Sequence, residues 1–80
     1  MKLVDSYEEM FRKSLGKKIR RARREKEMTQ EALAELCNIT ARTLSFYENG
    51  KQTLSAWKLC KIICYLDLKI DFSEFNLSKT

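Results

Sequence analysis

Residues 28–51, MTQEALAELCNITARTLSFYENGK, decide the fold. They read as two short helices joined by a tight turn. Thr29 is placed to cap the first, its hydroxyl accepting from backbone N–H groups two or three residues on that have no partner within the helix. Leu33, Ala34, Leu36 and Cys37 then recur on an apolar side, while Gln30, Glu31 and Glu35 face out. Asn38 ends that helix, because Asn tolerates positive φ better than any residue but glycine, so a reversal at Asn38 and Ile39 is feasible. Thr40 caps the second helix. There Leu44 and Tyr47 lie three apart on the inner face, Ala41, Arg42, Ser45 and Phe46 occupy the outer face, and Asn49 and Gly50 form the stop.

A helix, a short turn and a second helix with an exposed outer face is the plan of the helix-turn-helix, whose second helix enters the DNA major groove. The stretch resembles the phage-repressor, Cro-like (XRE-type) helix-turn-helix family. The resemblance is carried by Thr29 and Gln30, by Leu33 and Ala34, by Asn38 with Ile39, by Thr40, and by the closing run Tyr47, Glu48, Asn49, Gly50 and Lys51. It extends over about residues 15–68 and implies an all-α, five-helix, lambda-repressor-like domain. Residues 1–14 are then an N-terminal helical extension, and 69–80 carry a short C-terminal helix. By resemblance, base contacts fall on Ala41, Arg42 and Phe46, with Thr40 and Ser45 close by. Phosphate contacts fall on Gln30, Asn49 and Lys51. Arg23 resembles an arginine that pairs with a glutamate at the end of the recognition helix, here Glu48. Related regulators bind double-stranded DNA as two-fold dimers. The family pattern has glycine where this chain has Glu27 and Asp67.

Composition sets the outer bounds. Eighty residues make one small domain, which buries only about 60% of the surface its unfolded chain exposes. A net charge of +5 and a pI near 9.3 favour an anionic partner. The basic residues concentrate between Arg12 and Lys26, where the alternative to phosphate contact is a solvated helix face. No apolar run approaches the roughly 20 residues needed to span a membrane, and no signal-peptide core is visible, so a cytoplasmic protein of bacterial or phage type is expected. Cys37, Cys60 and Cys64 form no C-x-x-C pair and there is no histidine, so no zinc set and no metal site are expected. Thiols in a reducing compartment are the default, although Cys60 and Cys64, one helical turn apart, leave a redox role open.

Before the central stretch, Ser6 and Glu9 have the spacing of a capping box, which predicts a helix beginning near Tyr7. Tyr7, Met10, Phe11, Leu15, Ile19 and Ala22 continue at helical spacing, with Gly16 as the place for a kink, so residues 6–26 form one helix or two. Lys17, Lys18, Arg20, Arg21 and Arg24 occupy its exposed positions, and Arg23 falls on the flank of the apolar stripe. After the stretch, Ser55 caps a further helix whose core stripe is Leu59, Ile62, Ile63 and Leu66. Trp57, Cys60, Cys64 and Tyr65 lie off that stripe. With Phe72 and Phe75 of the tail, Trp57, Cys64 and Tyr65 are the candidates for a dimer seam or for packing against the N-terminal extension. Asp71 and Glu74 mark the cap of the last short helix.

Catalytic chemistry is missing. The absence of histidine excludes a Cys–His or Ser–His nucleophile, and two glycines, Gly16 and Gly50, supply no phosphate-cradling loop. The chain is expected to be no enzyme, to need no cofactor and to take no small-molecule substrate. Two function classes follow. One is a sequence-specific DNA-binding regulator, a repressor of phage or bacterial type. The other is a protein-interaction module on the same fold, such as an adaptor or a toxin-neutralising partner. The donors Arg42, Ser45, Asn49 and Gln30 favour DNA, yet Arg42 is the single basic residue between Thr29 and Asn49. Phe46 is either a contact for thymine methyls or a core residue.

Overall fold

A computed structural model describes residues 3–52 and 54–69, with side chains from residue 7 onward. Among the described residues there are four helices and no strand: α1 (Leu3–Glu25), α2 (Gln30–Leu36), α3 (Ala41–Glu48) and α4 (Ala56–Leu66). The described residues are all-α, with four of the expected five helices among them. The segment expected to form the fifth, with Phe72 and Phe75, lies outside the described residues.

Local chemistry accounts for the helix boundaries. The hydroxyls of Thr29, Thr40 and Ser55 accept from the backbone N–H groups of Ala32, Thr43 and Lys58 at 3.0, 3.0 and 3.3 Å. Each thereby satisfies one of the amides that a helix start leaves without a partner. The C-terminal ends repeat one device four times. Glu27, Asn38, Gly50 and Asp67 take φ of 57°, 57°, 71° and 52°. The amide that follows each then reaches back five residues: Met28 to Arg23 O, Ile39 to Ala34 O, Lys51 to Phe46 O and Leu68 to Ile63 O, at 2.9 to 3.1 Å. This is the left-handed helix stop in which the residue after the turn packs inward. Met28, Ile39 and Leu68 do pack against the core. Only one of the four stops uses the residue type best suited to positive φ, so Glu27, Asn38 and Asp67 carry a conformational cost that glycine would not.

Helix α1 departs from the sequence expectation at two places. It begins at Leu3, with Ser6 inside it; nothing in residues 3–6 breaks a helix, so the cap spacing at Ser6 goes unused. It also runs unbroken through Gly16, which settles residues 6–25 as a single helix. A mid-helix glycine costs only about 1 kcal/mol relative to alanine, and here it is required for packing. A Cβ at Gly16 would lie 2.5 Å from the carbonyl oxygens of both Tyr47 and Glu48. A Cβ at Gly50 would lie 2.8 and 2.9 Å from Cγ and Cα of Lys13. The chain's two glycines sit on opposite sides of one close crossing, where α1 passes the C-terminal end of α3.

The core comprises Leu15, Ile19, Leu33, Ala34, Cys37, Leu44, Tyr47, Ile62 and Leu66, so all four helices contribute. Leu36, read as part of the apolar side of α2, is 46% exposed. Leu33, Ala34 and Cys37 span the buried arc of that short helix, and Leu36 falls about 60° outside it at 100° per residue. On α4 the stripe is narrower than expected: Ile62 and Leu66 are buried, and Leu59 and Ile63 are half-buried. The N-terminal extension docks through Phe11, which packs against the core and lines a small recess with Leu15, Tyr47, Leu54 and Leu59. It does not cover Trp57, which is 67% exposed, as Met10 is at 63%.

Candidate nucleic-acid interface

The outer face of α3 is presented by its own periodicity. Leu44, Tyr47 and Glu48 are buried, and at 100° per residue the opposite face carries Arg42, Phe46 and Asn49, flanked by Ser45 and Thr43. Arg42 and Asn49 are exposed, Ser45 and Phe46 half-buried. Phe46 lies outside the hydrophobic core, and the Arg42 guanidinium sits over its ring, 5.5 Å from the centroid. That contact holds the two side chains together on the outer face of α3. Ala41 is half-buried and packs against the core. Thr40 is occupied as the cap, and its hydroxyl also donates to Thr43 Oγ1 at 2.8 Å.

What fixes α3 against the rest of the molecule is Glu48, whose side chain is fully buried. Arg23 donates to it through Nε at 2.7 Å and through Nη2 at 3.1 Å, a two-pronged pairing, and its remaining Nη1 reaches Met28 O at 2.8 Å. Gln30 Nε2 and Arg20 Nε add donors to Oε1 at 3.0 and 3.5 Å. Burial opposes the charge on Glu48, but the hydrogen bonds from Arg23 and Gln30, the attraction of Arg23 and the bond from Arg20 outweigh it and hold the carboxyl below its ordinary 4.5. One carboxylate thus joins α1, the start of α2 and the end of α3, and no buried side-chain polar atom among the described residues is left without a partner.

Two of the three residues expected to meet phosphate, Gln30 and Asn49, are tied to this hub. Gln30 has its amide nitrogen on Glu48. Asn49 Nδ2 donates to Ser45 O at 2.8 Å and its Oδ1 accepts from Arg20 Nη2 at 2.7 Å, so Asn49 caps the end of α3 while remaining exposed. Lys51 is exposed just past the Gly50 turn. On α4, Trp57, Cys64 and Tyr65 are exposed, and Lys61 lies over the Trp57 ring at 5.4 Å.

Two participants escaped the reading of the sequence. Arg20 bridges Glu48 and Asn49, and Arg12 donates to Gly50 O at 3.2 Å while pairing with Glu8. Both lie four residues from Gly16, on either side of the close crossing with α3, a proximity that the sequence alone does not signal. Thiol chemistry gains no support. Burial raises the Cys37 thiol against a smaller lowering by Lys61, and the neighbouring Cys60 raises Cys64. Among the described residues no three Cys, Asp or Glu side chains cluster to hold a metal ion, and no helix is long and apolar enough to cross a membrane.

The helix-turn-helix family model HTH_3 matches residues 19–73. Among solved structures, the chain is similar to the clp gene regulator ClgR from Corynebacterium glutamicum, with a TM-score of 0.69 and 26% identity, covering 82% of this chain and 68% of that one. No curated protein gave a match. With the family model spanning more than half of the sequence and the α2–turn–α3 geometry in place, the chain belongs to the helix-turn-helix family of the XRE type.

Proposed function

We propose that this protein is a transcription regulator that binds double-stranded DNA, with α3 in the major groove, acting as a homodimer and as a repressor. The observation that carries the reading is the contrast between the two faces of α3. Its inner face is immobilised by the Arg23–Glu48 pairing, and its outer face offers Arg42, Ser45, Phe46 and Asn49 on a rigid support. Groove readout needs donors held in fixed register, since phosphate contacts position the helix and base contacts specify the sequence. Arg42, near the N-terminus of α3, is suited to guanine O6 and N7, and Phe46 beside it to a thymine methyl. Thr40, Ala41 and Ser45 border the same surface. Gln30, Asn49 and Lys51 are placed around it for phosphate, with Gln30 and Asn49 also held by protein partners. The similarity to a gene regulator supports the same reading.

A single small domain covers one half-site, and the dimer would place two copies of α3 about 34 Å apart on one DNA face. Trp57, Cys64 and Tyr65 form the exposed apolar strip on α4 that a second copy would cover. The test is retention of random genomic DNA fragments by the protein at several salt concentrations, followed by sequencing of what is held. A shared motif with two-fold symmetry is expected. Absence of DNA binding at low salt would move the reading to a protein-interaction module.

A further inference from the structure

We propose that Lys17, Arg21 and Arg24 of α1, beside Arg20, form a second phosphate-binding face, which takes the DNA backbone next to the groove read by α3. This rests on the DNA-binding reading above. The four residues lie at i, i+3, i+4 and i+7, one side of the helix, and with Glu25 they line an open depression of about 440 Å³. Several cations of α1 are paired: Arg12 with Glu8, Lys13 with Glu9, Arg23 with Glu48 and, on this face itself, Arg20 with Glu48. Lys17, Arg21 and Arg24 have no ion-pair partner among the described residues.

Arg20 fixes where this face points. Its Nη2 bond to Asn49 Oδ1 places the depression alongside the C-terminal end of α3, on the flank that a DNA strand leaving the major groove would pass. The need for such a face follows from charge. The outer surface of α3 carries one cation, Arg42, whereas affinity for duplex DNA comes chiefly from neutralising several phosphates. From Lys17 to Arg24 the helix advances about 10 Å, the axial length of roughly three phosphates on one strand. Favourable interaction with the helix macrodipole accounts for Arg24 in the last turn, but not for Lys17 two turns earlier.

The experiment compares the wild-type protein with the variant K17Q/R21Q/R24Q and with a charge-matched control, K26Q/K69Q/K79Q. Arg20 is kept because it also holds Glu48 and Asn49. Binding to random duplex DNA is measured across a salt series, and melting by circular dichroism verifies that all three proteins fold. At about 0.9 per phosphate contact, the salt slope of the α1 variant should fall by two to three per protomer, with less than one lost in the control. Equal losses in both variants would reduce the effect to net charge and overturn the proposal. An unchanged slope in the α1 variant, with DNA binding intact, would make this face a solvated surface or a site for an acidic protein, and overturn it while leaving α3 as the reader. If the wild-type protein fails to bind any duplex at low salt, the DNA reading itself falls, and this face with it.

Discussion

Gly16→Ala is the substitution for which the geometry makes its sharpest demand. In an isolated helix, alanine in place of an interior glycine stabilises by about 1 kcal/mol. Here the added methyl would meet two backbone carbonyl oxygens at 2.5 Å and the Glu48 carbonyl carbon at 2.8 Å, where ordinary contact begins near 3.4 Å. The shortfall of about 0.9 Å cannot be relieved by turning a side chain, since every atom met is main chain of α3. Helix α1 must move away from α3, and that movement loosens the Arg20 and Arg23 bonds to Glu48 that span the same crossing. Overpacking of this kind costs about 1–3 kcal/mol, and loss of geometry at a buried charge adds to it. After the helix-propensity gain is subtracted, a net destabilisation of roughly 1–3 kcal/mol is expected. Urea denaturation followed by circular dichroism gives the value. A variant as stable as the wild type, or more stable by the amount expected of a solvated helix, would show that α1 does not cross α3 at this distance.

The other structural predictions probe the stops, the hub and the exposed strip. Glu27→Gly relieves a φ of 57° at an exposed position and should raise stability by about 0.5–1 kcal/mol, the left-handed cost less the extra chain entropy of glycine; a drop of that size in urea denaturation contradicts it. Glu48→Gln leaves Arg23 buried without its counter-charge and should cost about 3–5 kcal/mol at neutral pH. Because the folded-state carboxyl lies below 4.5, the stability that Glu48 supplies is fully present above its unfolded value and is lost as pH falls through the lowered folded value. The gap between wild type and Glu48→Gln should therefore narrow below pH 4.5, and a gap that stays constant in acid would remove the ion pair from the account. Trp57→Lys alters a side chain that is 67% exposed and should leave the fold intact; sedimentation should then show a monomer, and an undiminished dimer would place the seam elsewhere.

Much of the fold was legible because it is written in local chemistry. Thr29, Thr40 and Ser55 announce their helices through caps that involve only neighbours three residues away, and Asn38 announces the turn through its tolerance of positive φ. Glu27 and Asp67 were legible only through resemblance, since neither residue type signals a left-handed stop by itself. The start of α1 was misplaced because a capping box at Ser6 is an option that a helix with nothing to break it can ignore. The sequence marks Gly16 as a place for a kink, since it shows flexibility but not proximity; the carbonyls of Tyr47 and Glu48 that make glycine necessary are more than thirty residues away. The same limit hid Arg20, whose partners Glu48 and Asn49 are 28 and 29 positions along the chain. Leu36 shows the remaining difficulty, for in a helix of seven residues an apolar side chain at the edge of the stripe is as easily outside as in.

The claim that α3 reads DNA is tested most directly by comparing Arg42→Ala with Lys51→Ala on the DNA sequence the protein selects and on a scrambled version, at several salt concentrations. Arg42 is the single cation on the outer face of α3, and Lys51 lies just beyond its end. Loss of a two-pronged guanine contact costs about 1–3 kcal/mol of discrimination, so Arg42→Ala should weaken the selected sequence far more than the scrambled one and relax preference at one base pair of each half-site. Lys51→Ala should weaken both alike and lower the salt slope by about one per half-site. If Arg42→Ala reduces binding to selected and scrambled DNA equally, Arg42 touches phosphate only, and base readout by this face of α3 is contradicted.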